Sequence, residues 1–123
     1  MKNIIMKTLV IGASTNKERY SYKAIHNLVD KSHQVVAIGA QKGIAFDIPI
    51  ETDKLDFHAI DTITMYLNPK LQPEYYDYIL SLHPRRVIFN PGTENPEFYK
   101  LLAVNNIKYE VACTLVLLAT NQY

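Results

Sequence analysis

"LVIGASTNKERYSYKAI", Leu9 to Ile25, decides how this chain is read. An apolar run leads into Gly12, small and polar residues follow, and apolar residues then return at helical spacing. A strand, a tight loop and a helix in that order open many nucleotide-binding α/β domains. Gly12 permits a tight turn and close approach of a ligand to the backbone. Ser14 adds a hydroxyl, and a helix beginning near Arg19 points free N–H groups forward, which together make an anion site. The plainer alternative is that Gly12 only turns the chain.

Working outward, Lys7 to Ala13 reads as a strand buried on both faces. The helix runs from Arg19 to Lys31, with Tyr22, Ala24, Ile25, Leu28 and Val29 on one face. Gln34 to Gly39 is a second buried strand. A short edge strand is expected near Phe46 to Ile50, where Pro49 argues against a central position. Thr62 to Leu67 is a strand that Asn68-Pro69 ends, and Gln72 to Leu82 is a helix. Arg86 to Asn90 is the next strand, and Pro91-Gly92 turns the chain. Asn95 caps a helix that has Pro96 at its first position and runs to Asn105. Ile107 to Val111 is the last strand, and Thr114 to Ala119 a short closing helix. Helices between nearly all the long strands imply a mostly parallel sheet covered on both sides. The expected fold is one Rossmann-like three-layer α/β/α domain over residues 1–123, with five main strands and a short edge strand. Ligands of such sheets bind outside the carboxyl ends of the strands, where the strand order reverses.

The 123 residues match one ordinary domain, and 48% hydrophobic residues are enough for a core. A formal net charge of +1 gives no field that would gather nucleic acid or coat a membrane, so any anion site is local. The amino terminus, MKNIIMKTLVIG, is basic and then apolar, but Thr8 to Ala13 is too short for a signal-peptide core. No apolar run reaches the ~18 residues of a membrane span. A single cysteine, Cys113, allows no disulfide within the chain and suits a reducing cytoplasm, the expected location.

The dinucleotide fingerprint is G-x-G-x-x-G with an acid ending the second strand. Gly12-Ala13-Ser14-Thr15-Asn16-Lys17 keeps only the first glycine, and Gly39-Ala40-Gln41-Lys42 offers no acid. That disfavours NAD. A nucleotide with an extra ribose phosphate, NADP or coenzyme A, would suit Lys42, although on this feature alone a plain solvated lysine is the better reading.

The chain resembles the small stand-alone CoA-binding proteins, which are similar to the CoA-binding domain of succinyl-CoA synthetase alpha subunits. The resemblance rests on VIGAS (Val10 to Ser14), RYSYKA (Arg19 to Ala24), DTITMYLNP (Asp61 to Pro69), PRRVIFNPGTENPEF (Pro84 to Phe98) and CTLVLL (Cys113 to Leu118). It implies that Gly12, Ala13, Ser14 and Arg19, with Asn16 and Tyr20, cradle the CoA pyrophosphate. It also implies that Gly39 to Lys42 hold the phosphorylated ribose, and that Tyr66, Leu67, Asn68 and Pro69 flank the adenine or its ribose. The chain departs from the family pattern at Gly39-Ala40, where relatives often have Asn-Pro, and at Ala45-Phe46-Asp47, where many have a glycine.

Asn90, Gly92 and Glu94 face the same crevice. Turn and cap formation accounts for most of Asn90-Pro91-Gly92-Thr93-Glu94-Asn95, which leaves Asn90 and Glu94 free to meet the pantetheine arm or an acyl group. Cys113 follows the last strand, either as a small buried hydrophobe or as a thiol near the CoA thiol. His26, His33, His58 and His83 show no metal spacing, and no nucleophile–base pair is evident. The expected function is therefore a non-catalytic CoA or short acyl-CoA binder that carries, senses or presents its ligand. The alternatives are an NADP-type nicotinamide-dependent reductase and a ligand-free interaction module. The tyrosines at 75, 76 and 78 read as packing residues and as a face for a homodimer.

Overall fold

The computed structural model describes residues 5–123. The first four residues of the basic amino terminus lie outside the described part. The strands are β1 (Thr8–Ala13), β2 (Val35–Gly39), β3 (Gly43–Ala45), β4 (Ile48–Glu51), β5 (Thr62–Met65), β6 (Arg86–Phe89) and β7 (Lys108–Val111). The helices are α1 (Tyr20–Asp30), α2 (Tyr76–Leu82), α3 (Pro96–Val104) and α4 (Thr114–Ala119), and a 3-10 turn, Gln72–Tyr75, leads into α2. They build one seven-stranded sheet in the order β3-β4-β2-β1-β5-β6-β7. All neighbours run parallel except β3 and β4. This is the Rossmann-like three-layer sandwich the alternating pattern implies.

Alternation along β1 explains the layers. Leu9 and Ile11 join Ile63, Met65, Val87, Phe89, Phe98 and Leu102 in one core, under α2 and α3. Val10 joins Ile25, Leu28, Ala37 and Leu118 in the other, under α1 and α4. A strand with apolar residues on both faces fits only between two such layers.

The edge differs from the single strand expected near Phe46. It is an antiparallel hairpin, with Ala45 paired to Ile48. Phe46 and Asp47 form its turn at φ 51° and 65°. Two-residue turns of this kind favour Asn-Gly or Asp-Gly, so Phe-Asp carries no turn signal in the sequence. Phe46 is held by packing instead: its ring stacks on His26 at 4.5 Å and meets Tyr22 at 4.7 Å, both on α1. The central strand β5 also stops at Met65, two residues before the expected Leu67.

The chain passes from β1 through α1 to β2 on one side, and β5 pairs with β1 on the other. The strand order therefore reverses between β1 and β5, which is where such sheets place a ligand crevice.

Candidate ligand-binding site

Gly12 creates the crevice. The β1–β2 register shifts between Ile11 and Ala13, and Gly12 sits in that irregularity at φ +94°. A Cβ there would lie 2.7 Å from the Tyr66 carbonyl carbon and 2.9 Å from the Leu67 nitrogen. The ends of β1 and β5 are thus wedged together, with Tyr66 N–H donating to Ile11 O at 2.8 Å. Gly39 does the same on the other side, where a Cβ would lie 2.2 Å from Ala13 O.

The loop beyond Gly12 folds on its own side chains. Asn16 N–H donates to Ser14 Oγ at 3.0 Å, and Glu18 N–H donates to Asn16 Oδ1 at 2.9 Å. Arg19 occupies the N-cap position of α1, and its side chain makes no capping bond. The first helical bond runs from Tyr22 N–H to Arg19 O at 3.1 Å, so the N–H groups of Tyr20 and Ser21 precede it.

A cleft of about 420 Å³ opens over this loop, at the carboxyl ends of the central strands. That is within the range of small-molecule sites. Gly12, Ala13, Ser14, Thr15, Arg19, Tyr20 and Ser21 form one wall. Ala40 and Gln41, after β2, form the second; Tyr66, Leu67 and Asn68, after β5, the third; Pro91, Gly92 and Thr93, after β6, the fourth. Arg19 is the one charged residue in this lining, and no carboxylate faces the space. One guanidinium, a hydroxyl-bearing loop and free N–H groups are a donor set for a phosphate or pyrophosphate.

Nine residues expected at the ligand line this cleft: Gly12, Ala13, Ser14, Arg19, Tyr20, Tyr66, Leu67, Asn68 and Gly92. Seven others stand outside the lining, several with visible structural work. Asn16 orders the first loop and Gly39 permits close strand packing. Lys42, exposed, lies one residue beyond Gln41, and Pro69, half-buried, one residue beyond Asn68. Glu94 is exposed, and its Oε1 accepts the Gly92 N–H at 2.8 Å, closing its own turn. Cys113 is a half-buried free thiol that starts α4. Asn90 is 1% exposed and bonded on both ends of its amide.

Sequence reasoning did not single out Gln72, which ties the cleft floor together. It is wholly buried, and its Nε2 donates to Leu67 O at 2.9 Å and to Thr93 O at 2.8 Å. Its Oε1 accepts from Asn95 Nδ2 at 2.8 Å. Asn95 is the cap expected of it, accepting the Phe98 N–H at 3.2 Å. A glutamine before a proline in a helical stretch gives no sign of this role. Thr15, Ser21, Pro91 and Thr93 are also added to the lining, which Ala40 and Gln41 enter from the expected stretch Gly39 to Lys42. Each lies within two residues of one that was expected.

Tyr66 is unusual in this site. Its hydroxyl is buried and has no hydrogen-bond partner among the described residues. Burial pushes the phenol far above its ordinary value, and the proximity of Cys113 adds to the rise; Thr114 and Thr64 oppose it. Those two hydroxyls bond each other at 2.8 Å, and neither completes a bond to the phenol. Tyr66 is therefore a neutral, mostly apolar wall. The tyrosine cluster further along is engaged within the chain. Tyr76 stacks on Phe98 at 4.3 Å and bonds Asn95 and Glu97, and Tyr78 donates to Leu55 O at 2.6 Å. Among the described residues no group of His, Cys, Asp or Glu could hold a metal ion, and no helix is long and apolar enough to cross a membrane.

Residues 6–119 match the family model of the CoA binding domain. The chain belongs to that family. A crystal structure of an uncharacterized protein superposes with a TM-score of 0.95 at 40% identity, covering 98% of this chain and 100% of that one. A hypothetical protein from Pyrococcus horikoshii OT3 gives 0.83 at 20% identity, over 91% of this chain and 80% of its own. Cell-free ID.343 from Thermus thermophilus gives 0.84 at 20% identity, over 97% and 91%. The last two likenesses concern the fold alone. No curated protein matches the chain.

Proposed function

We propose that this CoA binding domain holds coenzyme A or a short acyl-CoA in the switch-point cleft and serves as a carrier, sensor or presenting module rather than as an enzyme. One observation carries the choice of site: the cleft over Gly12 to Ser14 has a single charge, Arg19, and no carboxylate. The pyrophosphate lies over that loop and the start of α1, where N–H groups and the guanidinium meet it. The nucleotide end lies between Gln41 and Tyr66 to Asn68, with Lys42 one residue outside the lining to meet the ribose phosphate. The pantetheine arm runs toward Gly92 and Thr93.

The non-catalytic reading is supported by what the polar residues around the cleft already do. Asn90 and Gln72 are saturated by hydrogen bonds within the chain. Glu94 is spent on a turn, and Cys113 has no hydrogen-bonded base in the described residues.

Thermal melts with CoA, NADH and NADPH test the ligand. A ligand that binds only the folded state adds ~2.7 kcal/mol at a hundredfold excess over Kd. CoA raises Tm and the nicotinamide cofactors do so less. Equal shifts with all three refute the CoA assignment, and a shift with NADPH alone favours a reductase. The non-catalytic role is tested separately, by turnover assays with acetyl-CoA and succinyl-CoA and by mass spectrometry without reductant. Turnover abolished by Glu94→Gln, or an adduct of CoA mass on Cys113, overturns it.

A further inference from the structure

The sheet ends in two unlike edges. At one end β3 is only three residues long and belongs to a tight hairpin. At the other, β7 has β6 on one side and no strand on the other among the described residues. All four of its residues, Lys108, Tyr109, Glu110 and Val111, are exposed, with Val111 56% exposed. An open edge of this kind presents a row of unpaired backbone groups to any chain that fits it.

The direction of those groups follows from one bond. Ala112 N–H donates back to Phe89 O of β6 at 3.2 Å. Backbone groups alternate sides along a strand, so Lys108 and Glu110 also turn theirs to β6, while Tyr109 and Val111 turn theirs outward. An antiparallel partner centred on Tyr109 makes Tyr109 face its own copy as a hydrogen-bonded pair. Val111 N–H then reaches the Ile107 carbonyl of the other chain. The Ile107 N–H is already given to Leu102 O at 2.9 Å, so four interchain backbone bonds result.

The side chains decide which partner fits. In that register Lys108 stands directly opposite Glu110 of the second copy, and Glu110 opposite its Lys108. Both are non-hydrogen-bonded positions, where facing side chains come closest. Glu110 bonds Arg86 Nη1 through Oε2 at 3.0 Å, which leaves its other oxygen for the incoming ammonium. Tyr109 is already set flat on Tyr99 at 4.4 Å, so little side-chain freedom is lost on pairing. We propose that β7 is a dimerisation edge on which a second copy of this chain pairs antiparallel about Tyr109, joining two sheets into one. The Lys-Tyr-Glu pattern is complementary to itself under a two-fold axis, as an isologous interface requires. This inference is independent of the ligand bound in the cleft, whose lining includes no residue of β7.

Sedimentation analysis of the whole chain tests it. The wild type sediments at twice the chain mass. Lys108→Glu and Glu110→Lys each set two like-charge pairs at the centre and weaken dimerisation roughly tenfold or more. Mixing the two variants restores a dimer, because the acidic edge of one meets the basic edge of the other. The double exchange Lys108→Glu/Glu110→Lys restores a homodimer. A wild type that stays monomeric over the whole concentration range overturns the proposal. So do dimers that survive both single reversals, or variants that keep native circular dichroism yet fail to re-associate when mixed.

Discussion

Asn90 Oδ1 accepts the Thr114 N–H at 2.8 Å, so the residue after β6 holds the first turn of α4. Its Nδ2 donates to Thr64 Oγ1 at 2.7 Å and to Met65 O at 2.9 Å on β5. One buried amide thus joins three elements directly beneath the cleft. Asn90→Ala leaves several buried polar groups without partners, at ~1–3 kcal/mol each before relaxation. We expect Tm to fall by about 10 °C, read by differential scanning calorimetry. Asn90→Asp should be no rescue, since a carboxylate cannot donate to Met65 O. A fall of less than a degree or two in Asn90→Ala would show that the amide is not the tie described.

Arg19 separates binding from stability. Its side chain is exposed, makes no capping bond and has no hydrogen bond among the described residues. Removing a charge-assisted phosphate contact costs ~1.5–3 kcal/mol of binding. Arg19→Ala should therefore raise the Kd for CoA by roughly 10- to 100-fold in isothermal titration and leave the Tm of the free protein unchanged. Lys42→Ala should act on CoA and not on dephospho-CoA. If the wild type binds both ligands equally, Lys42 does not read the ribose phosphate.

Gly12 and Gly92 share a positive φ, +94° and +93°, but not their surroundings. An alanine at Gly92 meets nothing within 4 Å and carries only the backbone strain, ~1–2 kcal/mol. An alanine at Gly12 carries that strain and also drives a methyl into the Tyr66 backbone at 2.7 Å. Gly12→Ala should lose clearly more stability than Gly92→Ala, together with CoA binding. Denaturant titration of both variants checks the order, and equal losses would mean that β1 and β5 can part at little cost.

These contrasts also mark how far the sequence could be read. The apolar runs of β1, β2, β5 and β6 announced buried parallel strands, because a strand between two helical layers is mostly apolar on both faces, and the buried threonines of β5 satisfy their hydroxyls by hydrogen bonds. The Asn95-Pro96 cap was equally plain. The hairpin at Phe46-Asp47 was hidden because its turn lacks the usual glycine and depends on Phe46 stacking against α1. In the cleft, the loop around Gly12 was legible from its place at a strand end, and the segment after β5 through the resemblance to the CoA-binding proteins. Asn90, Gly39 and Gln72 were not, because a polar or small residue at a strand end looks the same whether it meets a ligand or holds two loops together.

His33 makes stability depend on pH in a direction the structure fixes. Its Nδ1 accepts the Met6 N–H at 3.0 Å, which only a ring unprotonated at that nitrogen can do. Burial lowers its pKa below the ordinary 6.5, the Arg86 charge lowers it further, and Asp61 partly opposes both. The unfolded chain therefore takes up this proton more readily than the folded one. Stability is complete above 6.5 and declines as the pH falls below it. Asp61 acts lower on the scale. Burial raises its carboxyl, but the hydrogen bonds of Arg85 and Thr62 and the two arginine charges outweigh that and hold it below 3.8. Its contribution persists above that value and is lost only in stronger acid. Melts between about pH 7 and about pH 5 should thus show a falling Tm in the wild type. His33→Asn, which keeps an acceptor but cannot titrate, should flatten that slope while leaving the fall in stronger acid in place. Parallel slopes for the two proteins would assign the dependence to other groups.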